Sequence, residues 1–343
     1  MLVSGLIVTV IAALFGFAGA DWVLRKARRM GLVQQPTARS SHHRPTATGG
    51  GVGIVFGGSI ACIFVAYHAI WPAILVLAVS LAMAAIGLRD DIKPVRWGWR
   101  LLVQALLITV LLLGGIPLDA LQAELGLPGS LPLLIGLVLI AGIVWINFFN
   151  FMDGIDGLAG SEAVFLLLAA AGLTFAGMPG VIDLPVFWWL IALAAATAGF
   201  LIVNWPPARI FMGDTGSTYL GLMIGFLALV TLSLGWLTLP QWLILAGVFV
   251  ADPLVTLLRR LVQGERIYEA HRRHAYQALS RRWESHRTVT LGVIAINVIV
   301  LLPLAIAAGA LRQWEWPLVG VTYLLLVALA FYSGAGAPEK PVR

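Results

Sequence analysis

Eleven stretches of this chain are apolar for long enough to cross a lipid bilayer, and that recurrence limits its possible folds more than any other feature. A helical crossing takes about 20 apolar residues. The stretches fall at residues 2–20, 51–68, 70–88, 100–116, 131–150, 158–177, 186–203, 216–235, 240–258, 289–309 and 316–333. Inside hydrocarbon every backbone N–H and C=O must be bonded within the protein, which leaves helices for segments of this kind. The expectation is an all-α polytopic integral membrane protein of about 11 helices. Only 11% of residues are charged and 60% are hydrophobic, against roughly 25% charged in soluble domains, so no soluble domain is expected. Residues 1–343 read as one transmembrane domain, without internal repeat or low-complexity tract. The one cysteine, Cys62, lies in an apolar run and reads as a small buried hydrophobe.

Basic residues predict the orientation. No Lys or Arg precedes the first apolar run, and Arg25, Lys26, Arg28 and Arg29 follow it, the reverse of a cleaved secretory signal. With the N-terminus outside, 21 of the 22 Lys and Arg fall on the cytoplasmic side and only Arg312 outside. The positive-inside rule favours that arrangement. The net charge of +6 then reflects orientation and contact with anionic inner-leaflet lipid, and nucleic acid is not an expected partner. The expected cytoplasmic segments are 21–50, 89–99, 151–157, 204–215 and 259–288, together forming the active-site face.

The same map sorts the acids. Asp119, Glu124, Asp183 and Glu315 fall in short external loops. Asp90, Asp91, Asp153, Asp156, Asp214 and Asp252 fall near the cytoplasmic ends of apolar segments. An Asp at mid-bilayer costs roughly 2.5–3.5 kcal/mol, so six carboxylates from separate segments at one level point to a shared purpose. Asp90-Asp91 would repel each other unless a cation or an Arg lies close. Asp153 and Asp156, each followed by Gly, sit in a span-ending turn whose glycines let backbone N–H groups approach an anion. Asp214 with Thr215, Gly216 and Ser217 opens the eighth span, either as a simple helix cap or as part of an Asp-rich turn beside an Arg that suits Mg²⁺ completed by substrate phosphates. Arg209 is the basic residue between spans 7 and 8 and is suited to a phosphate. His271 and His274 are three apart and would share a helix face. They read as pyrophosphate donors among arginines, or as part of a basic helix lying on anionic lipid. His43, Arg44 and Thr46 lie in a loop of small, hydroxyl and basic residues that suits a phosphate cradle, or a plain juxtamembrane turn.

At Pro45 to Gly51, Asp90-Asp91, Asn147 to Gly160, Asn204, Phe211-Met212-Gly213-Asp214, Asp252 with Arg259-Arg260, and the His loop, the chain resembles a known family. These are the polyprenyl-phosphate N-acetylhexosamine-1-phosphate transferases, the MraY/WecA superfamily. The resemblance implies attack by an undecaprenyl-phosphate-like lipid on a UDP-N-acetyl sugar, giving lipid-diphosphate-sugar and UMP. It implies Mg²⁺, or Mn²⁺ in its place, a bacterial inner-membrane location and a homodimer as a candidate assembly. By the same likeness Asp214 is the expected metal ligand, Asp90 the candidate base and Asp91 its partner for metal or phosphate. Asn204 would contact metal or nucleotide. Asn147, Asp153, Asp156, Arg209, His271 and His274 are assigned to the nucleotide-sugar site, and His43, Arg44 and Thr46 to the lipid phosphate. The sparse His loop, with Tyr268-Glu269-Ala270-His271 and Ala275-Tyr276-Gln277, looks more like the enzymes that initiate O-antigen or related surface polysaccharides than like the peptidoglycan branch that makes lipid I. From another class, a secondary transporter would place its ionisable residues nearer the bilayer midplane.

Overall fold

The computed structural model describes residues 1–35, 45–68, 70–126, 130–266 and 271–338. His43, Arg44 and Glu269 lie outside the described residues. Among the described residues the regular structure is helical except for a hairpin of two-residue strands, β1 (Val33–Gln34) paired antiparallel with β2 (Thr46–Ala47). The helices are α1 (Leu2–Met30), α2 (Gly51–His68), α3 (Ile70–Ile92), α4 (Trp97–Gly115), α5 (Leu118–Glu124), α6 (Leu131–Phe151), α7 (Leu158–Gly177), α8 (Pro185–Asn204), α9 (Gly213–Ser233), α10 (Leu239–Leu245), α11 (Gly247–Val262), α12 (Ala275–Trp283), α13 (His286–Ile296), α14 (Leu302–Ala310) and α15 (Glu315–Tyr332).

Among the described residues nine helices are long and apolar enough to cross a membrane. The bent pair α10–α11 is apolar enough to count as a tenth when its two parts are taken as one span, and the shorter apolar helix Gly51–Tyr67 corresponds to the remaining expected stretch. All eleven apolar stretches are therefore helical, in a multi-pass membrane protein. Several details depart from the expected pattern. α1 continues ten residues past the predicted end at residue 20, because its last turns carry a buried face of Val23 and Ala27. The ninth span is not continuous: it bends by 72° at Ala246, between α10, capped by Thr238 and Gln241, and α11. The tenth is interrupted by a π-helical turn, Asn297–Leu301, just before Pro303. Proline has no N–H for the i−4 carbonyl, and such a wider turn accommodates the loss. Residues 271–273 lie outside any helix, so His271 and His274 do not share a helix face; His274 is instead the residue before α12.

Burial separates the helices into a centre and a rim. The most apolar windows of α7, α8 and α9 are 67%, 67% and 78% buried, against 22% for α1 and 17% for the last span. The rim helices turn large apolar side chains outward, such as Leu6, Val10, Leu106, Leu324 and Phe331, where lipid is the natural solvent. Between helices in lipid, close backbone approach replaces the hydrophobic drive. The α1–α8 contact shows this: a Cβ on Gly199 would lie 2.1 Å from the Ala13 carbonyl oxygen, and one on Gly16 would lie 2.0 Å from that of Ala196. Cys62 is buried, and its thiol donates to the Ala73 carbonyl at 3.1 Å.

Candidate active site

α3, α6 and α8 bring their C-terminal ends, and α9 its N-terminal end, to one end of the bundle. There they enclose a cleft of about 490 Å³. Asp90, Asp91, Asn150, Asp153, Asn204 and Asp214 line it, with Val33, Gln34, Thr48 and Gln277 at its sides. Carboxylates that the chain separates by more than 120 positions thus meet in one space.

The Asp90-Asp91 pair divides its work. Asp91 reaches across to α9, accepting from the backbone N–H of Asp214 at 2.8 Å and of Thr215 at 3.1 Å, and from the Thr215 hydroxyl at 2.6 Å. The first N–H groups of a helix lack intrahelical partners, and here the cap comes from a different helix. Thr215 and Ser217 do not cap α9 themselves; the Ser217 hydroxyl bonds back to the Gly213 carbonyl at 3.1 Å. A Cβ on Gly87 would stand 2.4 Å from the Asp214 carbonyl oxygen, so only glycine lets α3 approach closely enough for Asp91 to cap. Gly213 has φ +74°, the left-handed turn that starts α9 beside the Asp91 carboxylate. Asp90 points the other way. One of its oxygens accepts from the Val95 N–H and the other lies 2.6 Å from Arg100 Nη1.

Arg100, in the first turn of α4, also lies 2.8 Å from Asp214 Oδ2 through the same Nη1. The second Asp214 oxygen accepts from Asn150 Nδ2 at 3.0 Å, and Asn150 also donates to Ser217 at 2.8 Å. Asp153 sits in the turn after α6. Burial, and then the negative charge of Asp214, Asp91 and Asp156, raises its carboxyl above the ordinary carboxylate range.

The remaining expected site residues have other surroundings. Asn204 is buried; its Oδ1 accepts from Gly157 N–H at 3.0 Å and its Nδ2 donates to the Ile210 carbonyl at 2.9 Å. It lines the cleft and ties the Asp-Gly turn to the 205–212 segment. Asp156 accepts from Ala208 N–H at 2.9 Å and contacts His286 Nδ1 at 3.2 Å, bracing that same segment and α13. Asn147 lies one turn below Asn150 and bonds to Gln104 and to the Ile143 carbonyl, both at 2.8 Å, away from the cleft. The Arg209 side chain is exposed outside the cleft lining. Thr46 is paired in the hairpin, and Thr48 lines the cleft in that stretch. Gly50 and Gly51 N–H donate to the carbonyls of Phe211 and Met212, both at 2.9 Å, which fastens this strip to the start of α9.

The His271 and His274 rings lie with centroids 4.9 Å apart and planes tilted by 30°, and neither lines the cleft. His274 is buried against Asp252, at 3.3 Å. Asp252 also accepts from the N–H groups of Ala275 and Tyr276 at 2.8 and 3.0 Å, a second helix capped from a distance. Burial, with His274, Arg260 and Arg273 nearby, holds the His271 imidazole down to about 3, so it is neutral near pH 7. Tyr276 donates to the Phe151 carbonyl at 2.8 Å, locking α12 onto the Asp153 turn and bringing Gln277 to the cleft wall.

Arg100, Asn150 and Gln277 were not singled out from the sequence. A signal was present for the first: Arg100 and Gln104 lie four apart, on one face of an otherwise apolar segment. Asn150 stands three residues after Asn147 in the same Asn-Phe-Phe-Asn stretch.

The cleft offers oxygen donors only, a set that suits a hard cation such as Mg²⁺. Among the described residues no group of three or more His, Cys, Asp or Glu side chains could by itself hold a metal ion. Magnesium is commonly held by one or two carboxylates and completed by substrate phosphates, so the residues fit it on those terms.

A model of glycosyl transferase family 4 matches residues 73–232, from α3 through α9. The decaprenyl-phosphate N-acetylglucosaminephosphotransferase of Mycolicibacterium smegmatis is 31% identical over 336 residues, covering 85% of this chain and 80% of the relative. The chain belongs to glycosyl transferase family 4. Within it, the probable undecaprenyl-phosphate N-acetylglucosaminyl 1-phosphate transferase of Bacillus subtilis is 26% identical, over 89% of this chain and 84% of that one. The phospho-N-acetylmuramoyl-pentapeptide-transferase of Moorella thermoacetica reaches 38%, over 46% of each chain. The resemblance read from the motifs thus holds: this glycosyl transferase family 4 member is a membrane-embedded phosphoglycosyl transferase of the MraY/WecA superfamily, and the transporter alternative falls away.

Proposed function

We propose that this family 4 protein transfers N-acetylhexosamine 1-phosphate from a UDP-N-acetyl sugar to undecaprenyl phosphate or a related polyprenyl phosphate, releasing UMP. The convergence of Asp90, Asp91, Asp153 and Asp214 on one cleft at the end of a membrane bundle carries this conclusion. Relatives named as N-acetylglucosamine phosphotransferases match most of the chain's length and favour N-acetylglucosamine as the sugar. The concentration of Lys and Arg in the segments around the cleft supports a cytoplasmic-facing site in a bacterial inner membrane. Initiation of O-antigen or a related surface polysaccharide is the pathway that the sparse His loop favours.

The chemistry joins two anions, so positioning and charge neutralisation dominate it. Asp214, aided by Asp90 or Asp153, would hold Mg²⁺, which when bound offsets negative charge on the diphosphate. Asp90 lines the cleft beside Asp214 and is the candidate base. Because the second pKa of a phosphate monoester is about 6, most of the acceptor is already dianionic near pH 7, and proton removal by Asp90 adds little. Asp91 acts at one remove, by holding the backbone that carries Asp214. Arg100 and Asn150 set the Asp214 carboxylate.

The test is incubation of the purified chain with undecaprenyl phosphate, Mg²⁺ and radiolabelled UDP-N-acetylglucosamine, followed by thin-layer separation of lipid-linked label. Label should enter the lipid fraction with stoichiometric UMP, and Asp214→Ala should abolish it. No transfer from any UDP-N-acetyl sugar, or transfer indifferent to Asp214→Ala, would refute the proposal. Transfer only from UDP-N-acetylmuramoyl-pentapeptide would move the protein to lipid I synthesis.

A further inference from the structure

Arg100 Nη1 touches one oxygen of Asp90 and one of Asp214, at 2.6 and 2.8 Å. Each carboxylate spends its other oxygen on the protein frame: Asp90 on the Val95 N–H, Asp214 on Asn150 Nδ2. The oxygens free to bind a cation are therefore the two that one guanidinium nitrogen already bridges. Four carboxylates line this space with Arg100 at their edge. That single positive charge cannot neutralise both aspartates and an incoming diphosphate at once. The side chain is long, enters from the first turn of α4 and is 22% exposed, so it can swing without moving a helix.

We propose that Arg100 is an exchangeable counter-ion. In the cation-free protein it occupies the place of the divalent ion between Asp90 and Asp214. When the ion binds there, the guanidinium transfers to the phosphate oxygens of the nucleotide-sugar, where its planar fork suits two oxygens of one phosphate. The exchange keeps the paired carboxylates from being left buried and unpaired, which is costly for charges, and it makes cation and nucleotide binding mutually reinforcing. It rests on the cation site put forward under Proposed function, and the experiment separates the two.

Binding of Mn²⁺ to the full-length protein in detergent at pH 8 is followed by electron paramagnetic resonance, without nucleotide. UDP-N-acetylglucosamine binding is then measured calorimetrically with Mn²⁺ saturating. Arg100→Gln should bind Mn²⁺ about tenfold more tightly or better, because a competing cation has gone, and should bind the nucleotide-sugar at least about tenfold more weakly. Arg100→Lys, which keeps the charge but not the fork, should leave Mn²⁺ affinity near that of the parent and recover only part of the nucleotide affinity. Unchanged or weaker Mn²⁺ binding in Arg100→Gln, with binding still lost in Asp214→Asn, would overturn the exchange and leave the cation site standing. Equal Mn²⁺ binding by the parent and by Asp214→Asn would overturn the cation site and the exchange with it.

Discussion

Removing the Asp91 carboxylate separates two roles that the adjacent acids could share. Asp91 accepts three hydrogen bonds, two from the opening N–H groups of α9 and one from the Thr215 hydroxyl. Loss of an N-cap costs typically about 1 and up to 2 kcal/mol, and a hydrogen bond to a charged group contributes about 1.5–3 kcal/mol. These contributions overlap, since they describe the same end of one helix. Asp91→Ala is therefore expected to lose about 2–4 kcal/mol of stability. Asp91→Asn keeps one acceptor oxygen for the Asp214 N–H but turns an NH₂ toward Thr215, and should lose about half as much. Thermal unfolding of the detergent-solubilised protein should rank parent above Asn above Ala. Mn²⁺ binding should weaken far less than in Asp214→Asn, because the residue that Asp91 positions remains. The opposite pattern, a parent-like melting profile with Mn²⁺ binding lost as fully as in Asp214→Asn, would show that Asp91 is a direct ligand and that its cap is incidental.

Three further outcomes follow from the same geometry. Gly87→Val should cost most of the transferase activity and lower the melting midpoint, since the new Cβ meets the Asp214 carbonyl at 2.4 Å; full activity would mean that α3 can retreat without disturbing α9. His271 is held neutral with its value pushed down to about 3, below the 6.5 of a free imidazole. Its stabilising contribution is present above about pH 6.5 and fades as pH falls toward 3, so the parent should lose more melting temperature between pH 7 and pH 5 than His271→Gln does, and parallel losses would contradict it. Deep in the bundle, Glu162 Oε2 accepts from Asn297 Nδ2 at 2.6 Å, while Glu162 Oε1 and Asn297 Oδ1 have no partner among the described residues. Both orphan atoms are acceptors, so Glu162→Gln, which supplies an N–H, should melt at or above the parent, and Glu162→Ala should lose about 1–3 kcal/mol; equal damage from both would refute the pairing.

The membrane architecture was legible along the chain because it depends on local hydropathy: a run of about 20 apolar residues has few alternatives to a helix in lipid. The breaks at Ala246 and ahead of Pro303 were less visible, since neither interrupts the hydropathy. The motif residues were legible as a set for a related reason. Carboxylates beside apolar spans are expensive, and their one-sided placement survives in sequence as a pattern.

Which of those residues face the cleft was a different matter. Asp90 and Asp91 are adjacent and chemically identical, yet one turns to Arg100 and the other caps α9, because helical geometry rotates neighbours by about 100° and places them on different faces. Asn147 and Asn150, about one turn apart on α6, divide by depth instead, the first bonding into the interior and the second at the cleft. The chain alone determined that this protein is a helical membrane transferase with its acids gathered at one level, since composition, spacing and motif are properties of the chain. Tertiary structure alone decided the partners, Arg100 with Asp90 and Asp214, Asp91 with α9 and Asp252 with α12, because hydrogen bonds and ion pairs depend on distances of a few ångströms between segments a hundred residues apart.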